Sequence, residues 1–108
     1  LRRGMPRFQG ENWVRNRALI GAFEALATET GVTPAQLSLA WVLSRGEHVV
    51  AIPGTTSLAH LEENIARRDW PLPAELGARI DALINQHTVA GARYGAAIQA
   101  TVGTEEFA

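Results

Sequence analysis

The sequence predicts an α/β fold, and three observations carry that prediction. Residues 48–52, His-Val-Val-Ala-Ile, are short and β-branched, with no polar side chain after the histidine, and read as a strand buried on both faces. The stretches before and after it repeat apolar residues at helical spacing. A buried strand set among helices is the pattern of a parallel sheet or barrel. One strand cannot make a sheet, so its partners are expected from another part of the protein or from another molecule.

Each element follows from local chemistry. Residues 1–12 contain Gly4, Pro6, Gly10 and three arginines without an apolar period, and read as a loop. Over 13–46 two helices are expected. The first places Val14, Leu19, Ile20, Phe23, Leu26 and Ala27 on its apolar face, with Asn12 as N-cap and Gly31 as the stopping glycine. Thr33-Pro34-Ala35-Gln36 then offers a capping box with proline at the first helical position. This second helix is expected to run to about Arg45, stop at Gly46, and bury Leu37, Leu39, Ala40, Trp41 and Leu43.

After the strand, Pro53-Gly54-Thr55-Thr56-Ser57 turns into a helix from Leu58 to Ala66 with Ser57 as N-cap and Leu58, Leu61 and Ile65 on one stripe. Asp69-Trp70-Pro71-Leu72-Pro73 ends it, and a helix over 73–86 follows with Leu76, Ile80, Leu83 and Ile84 inward. Residues 87–108 read as a loop, one weak helical turn within 96–102, and a frayed tail.

Composition excludes several classes. Ten basic against eleven acidic residues gives no electrostatic reason to expect a nucleic-acid partner or an anionic membrane surface. No apolar run approaches the ~20 residues that cross a bilayer, and no basic leader precedes one. Zero cysteines exclude disulfides and thiolate metal sites and fit a cytoplasmic protein. His48 and His87 lack partners at metal-ligand spacing, so no metal is expected.

The chemistry-bearing segment is Ile52-Pro53-Gly54-Thr55-Thr56-Ser57 and the helix start that follows. Free N–H groups at a helix N-terminus, with hydroxyls beside them, suit an anion. Read on chemistry alone, the same hydroxyls equally well cap the helix.

Four landmarks stand in a telling order: Pro6-Arg7-Phe8-Gln9-Gly10-Glu11-Asn12, Gly31 to Leu43, Ile52 to Asn64, and Val89-Ala90-Gly91-Ala92-Arg93-Tyr94. Together they resemble the aldo-keto reductases, over essentially the whole chain and within the branch that carries a Pro-Gly-Thr-Thr loop. The resemblance implies a (β/α)8 TIM barrel, a fold of about 250 residues. The chain is then expected to be the C-terminal portion of one barrel domain, mostly helical, with 48–52 as the last strand and the N-terminal part of the barrel required to complete it.

The resemblance also implies a cofactor site. Ile52, Pro53, Gly54, Thr55, Thr56, Ser57, His60, Glu63 and Asn64 match the segment that holds the adenosine 2′-phosphate and adenine of NADP(H). Glu63 and Asn64 match the pair that hydrogen-bonds the adenine amino group. Gly54 stands where many members have a lysine, and His60 where many have an arginine. Both departures remove a cation from the 2′-phosphate and should weaken the discrimination of NADP(H) over NAD(H). Because members of the Pro-Gly-Thr-Thr branch still use NADPH, the resemblance implies NADP(H), with NAD(H) as the alternative. Arg7, Phe8 and Trp13 are candidates for the wall of a small-molecule carbonyl substrate site, because loops at the C-terminal face of such barrels carry specificity.

The family's catalytic aspartate, tyrosine, lysine and histidine do not map onto this chain. It contains no lysine at all, so no catalytic residue is assigned and the segment alone is expected to be inactive. Two other readings remain: a non-catalytic, cofactor-binding regulatory protein on the same barrel, and a truncated helical interaction module.

Overall fold

A computed structural model describes residues 2–103. Five α-helices occur among them: α1 (Gly10–Glu29), α2 (Pro34–Leu43), α3 (Leu58–Ala66), α4 (Ala74–Leu83) and α5 (Ala96–Gln99). Two 3-10 turns, Arg2–Gly4 and Pro6–Phe8, precede them. The tail residues 104–108, expected to fray, lie outside the described residues. The chain divides into two compact units, one built from 22–83 and the other from the described residues of 1–21 and 84–108.

In the 22–83 unit the core is Leu26, Ala27, Val32, Leu37, Leu76 and Ile80, with Phe23, Trp41, Trp70, Leu72 and Leu83 packed on it. Helix α1 ends as expected, and the mechanism is a Schellman motif. Gly31 takes φ +67°, the Val32 N–H donates to the Ala27 carbonyl at 3.1 Å, and the Gly31 N–H to that of Thr28 at 3.2 Å. Its apolar clasp is Val32 against Ala27, both core residues.

The capping box forms in full: Thr33 Oγ1 accepts from the Gln36 N–H at 3.2 Å, and Gln36 Oε1 from the Thr33 N–H at 3.1 Å. α2 stops at Leu43, two residues before the expected end, and Leu37 and Ala40 are its buried residues while Leu43 is exposed. α4 occupies Ala74–Leu83 within the expected 73–86. It is braced to α1 by Arg79–Glu29 at 2.8 Å and to the turn just after α2 by Arg45–Asp81 at 2.8 Å. Asp81 also accepts from Trp41 Nε1 at 2.8 Å, and the Arg45 guanidinium lies 4.2 Å from the Trp41 ring centroid.

The strand expected over 48–52 does not form, and no strand occurs among the described residues. The physical reason is that strand pairing is a two-sided bond, and no segment among the described residues offers a second edge. Val50 and Ile52, expected to be buried, are 78% and 91% exposed. The apolar stripe of α3 is open too: Leu58, Leu61 and Ile65 are all exposed.

In the other unit, α1 starts three residues earlier than expected, at Gly10, which takes φ +49°. Asn12 is therefore inside the helix and is not its N-cap. Its side-chain amide donates to the Pro6 carbonyl at 3.2 Å instead. The segment 1–12 is likewise not a plain loop, because the 3-10 turns and the first turn of α1 occupy most of it.

Asn16 makes the central connection of this unit. Its Oδ1 accepts from the Ala90 N–H at 2.8 Å, while its Nδ2 donates to the Ala90 carbonyl at 2.8 Å and to the Arg7 carbonyl at 3.0 Å. Arg7 Nε adds a bond to the Gly91 carbonyl at 3.0 Å. Gly91, at φ +86°, is required by close approach: a Cβ there would stand 2.6 Å from Asn12 Nδ2.

Candidate functional site

Within the 22–83 unit, the turn after Ile52 and the start of α3 face the first turns of α2 across an open groove of about 410 Å³. Its walls are Ala35, Ser38 and Leu39 on one side and Pro53, Gly54, Thr55, His60, Glu63 and Asn64 on the other. Six of the nine residues expected to hold a cofactor thus line one space. Ile52, Thr56 and Ser57 do not line it.

The hydroxyls divide their work. Ser57 caps α3, its Oγ accepting from the His60 N–H at 3.4 Å. Thr55 Oγ1 closes a small turn by accepting from the Ser57 N–H at 3.1 Å. Thr56 is exposed, and its hydroxyl bonds to no described residue. Both local roles are those of a self-stabilising turn, as the capping reading of these hydroxyls expects.

Among the described residues, the side chains of His60, Glu63 and Asn64 make no hydrogen bond or ion pair, and the backbone N–H groups of Gly54, Thr55 and Thr56 are unbonded. A Cβ on Gly54 would meet nothing within 4 Å. The groove is therefore lined by Gly54 and Thr55, whose backbone N–H groups are unbonded, together with an imidazole, a carboxylate and a carboxamide. Such a set can take an anion at one end and a hydrogen-bonding ring at the other.

Helices α2 and α3 are held across this groove by Gln36, whose Nε2 donates to the Glu63 carbonyl at 2.9 Å. The sequence marked Gln36 as a capping residue; its reach to a residue 27 positions away was not readable there.

The sequence of this chain matches the Aldo/keto reductase family model over residues 2–85, a span that takes in the whole 22–83 unit and its groove. The chain belongs to the aldo/keto reductase family. It is 40% identical over 94 residues to aldo-keto reductase yakc [NADP(+)] of Schizosaccharomyces pombe, covering 87% of this chain and 28% of that protein. It is 44% identical over 89 residues to probable aldo-keto reductase 1 of Glycine max, covering 82% and 26%. This aldo/keto reductase chain thus spans little more than a quarter of the length of the curated relatives it matches. No solved structure matches it significantly.

The residues of this aldo/keto reductase chain expected at a substrate wall separate. Phe8 and Trp13 form a tilted pair, ring centroids 6.0 Å apart, and line an open cavity of about 340 Å³ with Arg2 and Arg3. Arg7 does not line it and is committed to the Gly91 carbonyl. Tyr94 lies under the Arg93 guanidinium at 5.4 Å, and its N–H donates to Gln99 Oε1 at 3.2 Å, local bonds that pin this segment. No group of three His, Cys, Asp or Glu that could hold a metal occurs among the described residues. No helix among them is long and apolar enough to cross a membrane.

Proposed function

We propose that the intact protein is a cytoplasmic NADP(H)-dependent oxidoreductase that interconverts aldehydes or ketones and alcohols on a (β/α)8 barrel. In it, this chain forms the seat for the adenosine 2′-phosphate and adenine. NADP(H), when bound, supplies or accepts the hydride. The chain's own residues bind and orient. The N–H groups of Gly54 and Thr55 take the 2′-phosphate, with Thr56 beside the groove as a further donor, His60 stacks on the adenine, and Glu63 with Asn64 takes the adenine amino group.

The observation that carries this reading is the clustering of six motif residues around one groove, with the Glu63 and Asn64 side chains uncommitted. The NADP(+) in the name of the fission-yeast relative supports the choice of cofactor. The exposed apolar positions Val50, Ile52, Leu58, Leu61 and Ile65 support a requirement for the remaining barrel strands and helices as cover. With no lysine in the sequence, the proton-transfer machinery would have to come from that remaining part.

The test begins at the gene. Reading the frame upstream of Leu1 should reveal about 200 further residues in alternating strands and helices, with an aspartate, tyrosine, lysine and histidine available. The complete protein should then oxidise NADPH with aldehyde substrates. Tight NADPH binding without turnover would replace this reading with the regulatory one. A soluble, cooperatively folding 108-residue product without cofactor affinity would replace it with the interaction module.

A further inference from the structure

We infer that Gln36 is a positioning residue for the adenosine half of the cofactor, acting through Glu63; the inference rests on the cofactor reading above. One carboxamide performs two separable tasks. Its oxygen completes the cap of α2 by accepting from the Thr33 N–H at 3.1 Å. Its nitrogen donates at 2.9 Å to the Glu63 carbonyl, in the last turn of α3.

That carbonyl is one of the four at a helix C-terminus that have no partner further along the helix. Gln36 supplies the missing donor from another helix. Because the amide is planar and its oxygen is already fixed by the cap, the position of its nitrogen is fixed with it. The start of α2 and the last turn of α3 are thereby held at one separation. Those two segments are the facing walls of the groove: Ala35, Ser38 and Leu39 on one, Glu63 and Asn64 on the other. The bond is made by the backbone of Glu63, which leaves its carboxylate for the ligand. Gln36 itself does not line the groove, so its effect on binding is transmitted through α3.

Two substitutions in the complete protein separate the tasks. Glutamate at this position keeps an acceptor for the cap but has no N–H to give, and turns a carboxylate towards the Glu63 carbonyl. Gln36→Glu should lower the melting temperature no more than Thr33→Ala does. It should weaken NADPH and 2′,5′-ADP, a probe containing only the adenosine end, by about the same factor, roughly five- to tenfold. Thr33→Ala removes the cap and keeps the Gln36 donor. It should lower the melting temperature while changing 2′,5′-ADP affinity less than twofold.

Equal 2′,5′-ADP affinity in wild type and Gln36→Glu overturns the inference alone. So does a loss of affinity that tracks melting temperature across both variants, because Gln36 would then be only a cap. Failure of the wild-type protein to bind NADPH overturns the cofactor reading, and the inference with it.

Discussion

Replacing Asn16 by alanine isolates a three-bond polar connection between segments far apart in sequence. The side chain makes three hydrogen bonds at 2.8, 2.8 and 3.0 Å, two to Ala90 and one to Arg7, all partly buried. A net 0.5–1.5 kcal/mol for each bond sums to roughly 2–3 kcal/mol once partial exposure is discounted. The Ala90 N–H and carbonyl lose the partners they have in Asn16, so the penalty should fall on 89–91 and on the Pro6–Phe8 turn. At about 1.4 kcal/mol per tenfold, the Ala90 amide should exchange with solvent roughly 30- to 150-fold faster in the variant, read by native-state hydrogen exchange on the complete protein. The Leu37 amide, in the other compact unit, serves as internal reference and should change far less. An Ala90 amide that exchanges within threefold of wild type would show that Asn16 is decorative and that 84–91 is held by something else.

Other outcomes follow from single residues. Leu37 is fully buried, so Leu37→Ala should cost about 2–5 kcal/mol, seen as a lower urea midpoint; a shift below 1 kcal/mol would mean the site collapses or the core lies elsewhere. The hydrogen bond from Trp41, aided by Arg45, holds the Asp81 carboxyl below the ordinary carboxylate range of 3.8. A lowered folded-state pKa gives a stability contribution present above the unfolded value and lost as pH falls through the folded one. Wild type should therefore lose its margin over Asp81→Asn on acidification from pH 5 to pH 2; parallel urea midpoints would refute this. Gly54 has open space at its Cβ and no positive φ, so Gly54→Lys should fit and raise the NADPH-to-NADH affinity ratio of the complete protein about tenfold. An unchanged ratio would remove the 2′-phosphate from this groove.

What was legible in the sequence was what is local. The Thr33–Gln36 box, the Ser57 cap and the Gly31 stop each depend on residues within one helical turn, and each is found where the residue types put it. Asn12 shows the limit of that logic. An asparagine before an apolar run has the chemistry of a cap, but the Pro6–Phe8 turn and the positive φ of Gly10 start α1 earlier and turn the amide back to Pro6. Asn16 was not singled out, because its partner is 74 residues away. Its spacing of four from Asn12 was the available signal, since two carboxamides on one helix face need something to bond. The strand over 48–52 was a statement about a sheet, and no other segment among the described residues supplies one. Of the candidate site, the motif picked out six residues that the fold brings to one groove, but only the fold shows Thr55 spending its hydroxyl on the turn itself.

Helix α4 is fastened on two sides by bonds of unlike character. On the α1 side the fastening is the Arg79–Glu29 pair, with both side chains about half exposed. Such a pair weakens as counter-ions accumulate, the screening length falling from about 10 Å at 0.1 M salt to about 3 Å at 1 M. On the α2 side, Arg45 also lies over the Trp41 ring and Trp41 adds its own N–H bond to Asp81, contacts at close range that ions do not readily interrupt. Rising ionic strength should therefore loosen α4 asymmetrically, like a door whose latch releases while its hinge stays fast. Between 0.1 and 1 M sodium chloride, Trp41 fluorescence should hold while amides along the Arg79 side of α4 lose protection. Simultaneous loss of both would mean that the two fastenings are one.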